Sequence, residues 1–219
     1  MHSPTVPALS ESLREGTRAA HRVAESSPFM RELFAARLSI HAYRVFLCQL
    51  YRIYSTLEDC SEHLQSDPIL KTFYFPALFR RAALEQDLQF YFGNGSWREV
   101  PPLEATQTYV QRILTVAQDW PLGLIAHHYT RYLGDLSGGQ VLKRVVAKMY
   151  HLPSQDGLAF YNFPLIPDQS GFKKEYRARL DALPIDEMTA QEIVTEANRA
   201  FELNRQLLEE MMVIGEQLS

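Results

Sequence analysis

Tyr132-Leu133-Gly134-Asp135-Leu136-Ser137-Gly138-Gly139-Gln140 places three glycines and a carboxylate inside a stretch whose flanks read as one long helix. Each glycine in a helix interior costs about 1 kcal/mol relative to alanine. The segment therefore gives up stability for close backbone approach, a bend, or both. A flat ligand lying against this backbone supplies such a reason.

Outward from that stretch, apolar residues recur at i, i+3, i+4 over 9–26, 40–64, 76–92, 104–118, 122–149, 171–182 and 189–217, and no period-2 run competes. Helix stops are expected at Asp67-Pro68, Gly93-Asn94-Gly95-Ser96, Pro101-Pro102, Trp120-Pro121, Leu152-Pro153, Phe163-Pro164 and Leu183-Pro184. The pattern predicts an all-α fold of seven or eight helices. The longest irregular piece, 151–170, is a connector, and no internal repeat or domain boundary appears. One domain spanning 1–219, with its core from about residue 10 to 210, is the expectation.

Composition narrows the function classes. The 219 residues are 46% hydrophobic and 22% charged, ordinary for a soluble globular chain, and a net charge of −4 gives no global argument for nucleic acid. Cys48 and Cys60 lie without metal-type spacing and read as buried, reduced thiols. Met1 to Ser10 has no basic start followed by an apolar run, so no secretory signal is expected. The longest apolar runs fall short of the roughly 18 residues of a membrane span. A cytoplasmic location is expected, or an organelle stroma if a transit peptide has been removed.

A second constellation lies on the first helix. Measured from His21, residues Arg14, Arg18 and Glu25 stand at offsets of −7, −3 and +4, which at about 100° per residue puts all four within an arc of about 60°. A neutral imidazole can ligate haem iron, a carboxylate one turn away can orient the ring, and guanidinium groups suit ligand carboxylates. A solvated charged face that includes a histidine fits the same stripe. Lys173 and Arg177, at i, i+4, form a third cluster that could pair with anions or simply face solvent. His127 and His128 are adjacent, point about 100° apart on a helix, and read as core or surface residues, not shared ligands. No glycine-rich nucleotide loop of the strand-turn-helix type exists, so neither a flavin nor a nicotinamide site is expected and electrons must come from another protein.

The motifs together carry a resemblance. Thr17-Arg18-Ala19-Ala20-His21-Arg22-Val23-Ala24-Glu25, Phe29-Met30, Leu50-Tyr51-Arg52-Ile53-Tyr54, Ala83-Leu84-Glu85-Gln86-Asp87-Leu88 and, above all, Ala126 through Gln140 resemble haem oxygenase, collinearly from about residue 10 to 210. Phe172 to Arg179 and Phe201-Glu202-Leu203-Asn204 are similar as well. The resemblance implies a helical bundle that sandwiches haem between a proximal helix carrying His21 and a distal helix bent at Gly134, Gly138 and Gly139.

Carried over residue by residue, His21 is the iron ligand and Glu25 its hydrogen-bond partner. Arg14, Arg18, Lys173 and Arg177 hold or steer the propionates, with Tyr129 near them and Phe201 at the haem. Arg14 and Arg18 stand where many family members carry lysine, which exchanges a point charge for a planar fork. Tyr54, Arg131, Asp135 and Asn204 form or support a distal polar network, in which Asp135 supplies a proton through ordered water. Haem is then both cofactor and substrate, O2 the oxidant, and biliverdin, ferrous iron and carbon monoxide the products, with opening expected at the alpha-meso carbon. The implied partner is an electron donor, a ferredoxin or an NADPH-dependent flavoprotein, and the chain is expected to be a monomer without nucleic-acid or membrane partners. Two other readings remain on sequence grounds. One is a haem carrier or sensor that does not turn over, and the other is a helical domain whose glycines serve tight helix crossing.

Overall fold

The computed structural model describes residues 8–93 and 95–217. Most of the Met1 to Ser10 segment, and Asn94 of the expected turn, lie outside the described residues. Ten α-helices follow in order: α1 (Leu9–Gly16), α2 (Arg18–Glu25), α3 (Pro28–Phe34), α4 (Ile40–His63), α5 (Arg81–Phe92), α6 (Glu104–Asp119), α7 (Leu124–His128), α8 (Gly134–Met149), α9 (Gln169–Asp181) and α10 (Glu187–Gln217). No strand occurs among the described residues. The all-α expectation therefore holds.

Local chemistry sets the boundaries. Ser39 caps α4 by accepting from the Ala42 amide, Asp168 caps α9 through Gly171, and Gly93 ends α5 at a φ of 69°. The structure departs from the expected pattern at several places. The helix expected over 9–26 breaks at Thr17, whose hydroxyl bonds the Leu13 carbonyl; at Gly16 a side chain would sit 2.5 Å from Val194 Cγ1, so the chain passes α10 with no room to spare. The helix expected from 76 begins instead at Arg81, because the buried Glu58 carboxylate accepts from the Arg80 and Arg81 amides. The α3 helix has no counterpart in the sequence reading. Its Pro28 looks like a breaker but occupies the first turn, where proline fits.

The distal stretch also differs from expectation. Gly134 to Met149 is regular α-helix, and the irregularity is a π-helical turn at Tyr129–Leu133, immediately before the glycines. Gly134, Gly138 and Gly139 themselves lie within the helix that follows that turn.

One contiguous core, including Tyr43, Leu47, Ile53, Leu57, Leu84, Tyr109, Ile113 and Leu207, ties the helices together around α4. The adjacent histidines belong to it. His127 Nε2 lies 3.0 Å from Glu196, which Arg112 also grips, and His128 Nε2 lies 2.8 Å from Ser61 Oγ. Burial would raise the Glu196 carboxyl, but the hydrogen bonds from His127 and Arg112 hold it down to about 2. Cys48 and Cys60 are free and buried, as expected. The long α10 packs on α1, α2, α3, α6, α7 and the π turn, and α3 bridges α2 to α8. The arrangement holds α2 and α8 on two sides of a cleft.

Candidate functional site

The cleft has a volume of about 830 Å³, including the solvent it opens onto, and takes residues from α2, α3, α8, α10 and the connector after α8. On the α2 wall, His21 Nδ1 stands 3.3 Å from Glu25 Oε2, the i, i+4 pair that helix spacing predicts. The Phe201 ring of α10 meets the imidazole edge-on at 5.5 Å. With Nδ1 turned to the carboxylate, Nε2 is the ring nitrogen left free.

Opposite it, α8 offers bare backbone. A Cβ added at Gly134 or Gly138 would meet nothing within 4 Å, and one at Gly139 would touch only Tyr161 at 3.7 Å. These glycines do not serve a close helix crossing. They leave the cleft wall flat.

Beside the glycines runs a chain of polar side chains. Asn204 Oδ1 accepts from Arg131 Nη1 at 2.6 Å, Arg131 Nε donates to the Tyr54 hydroxyl at 3.2 Å, and Tyr54 donates to Asp135 Oδ2 at 2.5 Å. The Arg131 guanidinium also lies 4.9 Å over the Tyr54 ring. Burial pushes the Tyr54 phenol well above its ordinary range, which keeps it a proton donor. Burial likewise raises the Asp135 carboxyl, against the opposing pull of Arg131, the Tyr54 hydrogen bond and Arg80. Such a group holds a proton more readily than a solvated carboxylate.

The cations foreseen for ligand carboxylates stand outside the cleft lining. Thr17 separates α1, which carries Arg14, from α2, which carries Arg18, His21 and Glu25. Arg14 Nε pairs with Glu15 at 3.0 Å, and Arg18 pairs with the same carboxylate. Lys173 Nζ reaches Ser137 Oγ of α8 at 3.5 Å, while the Tyr129 phenol feels Thr17, Arg177 and Arg14. The rim thus gathers groups from α1, α2, α9 and the π turn.

Some lining residues escaped the sequence reading. Met30 and Phe34 sit on the unforeseen α3, and Phe160 and Tyr161 on a 3-10 turn inside the 151–170 connector, which has no periodic signal. Leu142 and Leu208 were detectable, since they lie four residues beyond Gly138 and Asn204 on the same helical faces.

Among the described residues no three His, Cys, Asp or Glu side chains cluster as a metal site. A lone imidazole facing a flat cleft suits an iron already held in a macrocycle. The family model "Heme oxygenase" matches residues 7–210. The chain belongs to the haem oxygenase family. Its sequence is 45% identical over 204 residues to "Heme oxygenase 1" of Gallus gallus, covering 92% of this chain and 69% of that one. The haem oxygenase of Leptospira interrogans superposes with a TM-score of 0.90 at 43% identity, over 93% of this chain and 100% of that one. Heme oxygenase-1 of the cyanobacterium Synechocystis sp., solved in complex with heme, gives a TM-score of 0.92 at 42% identity over 97% and 96% of the two chains.

As a haem oxygenase, the chain is a haem-degrading enzyme, haem breakdown to biliverdin being the family's activity. The site's own features fit that ligand: a flat wall without side chains, one oriented imidazole across from it, and cations at the rim. None of the described helices is long and apolar enough to cross a membrane. Gly138→Ala is expected to leave the haem-free fold as stable or up to about 1 kcal/mol more stable, because the site is open and alanine favours helix, yet to weaken haem binding. Thermal melts beside a haem titration check this. A destabilised haem-free variant would return the glycine to a packing role.

Proposed function

We propose that the chain opens haem at the alpha-meso carbon to biliverdin, ferrous iron and carbon monoxide. What carries the reading is one juxtaposition: His21, oriented by Glu25, across a flat cleft from a proton-holding chain that ends at Asp135. When bound, haem supplies the iron that takes O2 and the carbon that is oxidised.

The chain's own residues then act as follows. His21 Nε2 ligates the iron, and its neutral ring lacks the strong electron push of a thiolate that favours O–O cleavage. Glu25 fixes the ring through Nδ1, and Phe201 limits its rotation. Gly134, Gly138 and Gly139 admit the macrocycle and let backbone approach the oxygen side. Asp135 holds the proton that the reaction consumes there, through ordered water, with Tyr54, Arg131 and Asn204 holding its carboxyl in place. A passive haem carrier has no use for such a chain.

Arg14, Arg18, Lys173 and Arg177 take the propionates at the rim, beside Tyr129. Arg14 and Arg18 must release Glu15 to do so. The same cations suit the acidic face of an electron donor, a ferredoxin or an NADPH-dependent flavoprotein, in place of any flavin or nicotinamide site of its own. The protein acts as a single-domain, cytoplasmic monomer.

The test is to titrate hemin into the purified protein and then add reductant under air. A shifted Soret band that bleaches as biliverdin absorption grows is the expected result. A Soret band that survives reductant and air, with no biliverdin formed, overturns the reading in favour of a carrier.

A further inference from the structure

The inner end of the cleft is an aromatic wall, Phe160 and Tyr161, at 5% and 3% exposure, whereas Phe34 at the mouth is 44% exposed. This wall is a 3-10 turn, Ala159–Tyr161, which has no regular helix on either side to hold it. It is held instead by Asp87 of α5, a side chain with no exposure at all. One carboxylate oxygen accepts from the Ala159 amide and the other from the Phe160 amide, both at 2.8 Å. Arg80 grips the segment from the carbonyl side, donating to Phe160 O at 3.3 Å and Asn162 O at 2.5 Å and stacking 3.8 Å from the Phe163 ring. Gln140 of α8 donates to Tyr161 O at 2.9 Å, and the Tyr43 and Tyr161 hydroxyls meet at 3.0 Å.

A buried carboxylate is expensive unless its acceptors are used. Here both are used on consecutive amides, which fixes the orientation of the turn as well as its position. The wall passes that setting on to the polar chain, because the Phe160 ring packs edge-on against Tyr54 at 5.6 Å, and Tyr54 donates to Asp135. A tetrapyrrole has four chemically similar meso carbons. Which one is opened depends on the macrocycle's rotation and depth in the cleft, and an apolar inner wall opposite cationic groups at the rim sets both.

The geometry points to Asp87 as a positioning residue that, through the Ala159–Tyr161 turn, fixes the in-plane seat of the tetrapyrrole and so selects the meso carbon that is opened. The inference rests on the ring-opening reading above. Asp87 does not line the cleft, so it acts on product identity and leaves haem affinity unchanged.

The experiment separates biliverdin isomers by chromatography after haem-loaded protein has turned over with ascorbate under air. The unaltered protein is expected to yield one isomer. Asp87→Asn keeps the shape but turns a donor toward one of the two amides, and loss of that buried bond is expected to raise the share of the minor isomers about tenfold, with the haem dissociation constant unchanged. A merely structural role would lower yield and stability without moving the isomer ratio. Phe160→Leu, which leaves the Asp87 bonds in place, keeps the wall testable if Asp87→Asn does not fold. A single unchanged isomer from the folded Asp87→Asn protein, or from Phe160→Leu, overturns the inference, as does an isomer mixture from the unaltered protein. Absence of any biliverdin from the unaltered protein would instead refute the ring-opening reading.

Discussion

Replacing His21 with alanine is expected to abolish the haem Soret spectrum of the intact protein and to reduce biliverdin formation by more than about 100-fold, beyond the 10–100-fold typical of losing an outer-shell partner of a ligand. Among the described residues, the imidazole is the only histidine in the cleft lining, and no second side chain there combines a free ring nitrogen with a carboxylate to orient it. The position is also accessible: the His21 side chain is 47% exposed. Added imidazole is therefore expected to enter the space left by His21→Ala and bring back the wild-type band position. Glu25→Gln, which keeps a hydrogen-bond acceptor but removes the charge, should shift the spectrum only slightly. A variant His21→Ala with unaltered spectrum and turnover would remove His21 from its role and with it the proposed orientation of the cleft.

Asp135→Ala is the complementary test, on the other wall. Haem binding should persist, because the carboxyl neither neighbours His21 nor belongs to the cationic rim, while biliverdin yield falls by about 100-fold or more, the scale of a lost general acid. Asp135→Asn should lose as much, since its amide keeps the volume and the acceptor for Tyr54 but cannot hold a transferable proton. Tyr54→Phe should lose less, because Asp135 keeps its place on α8 and the charges of Arg131 and Arg80 still act on it. The measurement is product yield per haem consumed, beside the haem dissociation constant. Normal yield from Asp135→Ala sinks the proton-holding role even if every other part of the reading stands.

These two residues illustrate how differently the halves of the site could be read. His21 and Glu25 lie four apart on one helix, and their contact follows from helical geometry alone. Gly134 and Gly138 share a face for the same reason. Asp135 was legible as an oddity, a carboxylate among glycines, but its partners were not legible from spacing: Tyr54 is 81 residues away and Asn204 meets Arg131 across 73. Only the resemblance to a family brought them together beforehand. Arg14 shows the opposite case. Periodicity places it on the His21 stripe, whereas the helix is interrupted at Thr17 between them.

The amino-acid sequence by itself determined that the chain is helical, where most helices run, which imidazole has a carboxylate one turn away, and which helix face carries no side chains. Each of those rests on interactions within about four residues, the reach of a helical turn. The tertiary structure alone decided that α2 and α8 stand apart as two walls, that Tyr54, Arg131 and Asn204 converge beside Asp135, and that Phe160 and Tyr161 close the inner end. Those depend on buried polar groups finding partners far along the chain: Glu58 starts α5 late, Arg80 and Asp87 pin an aperiodic turn, and Glu196 ties α10 to α6 and α7. A buried charge must be satisfied wherever the fold places a donor, and no local periodicity records where that will be.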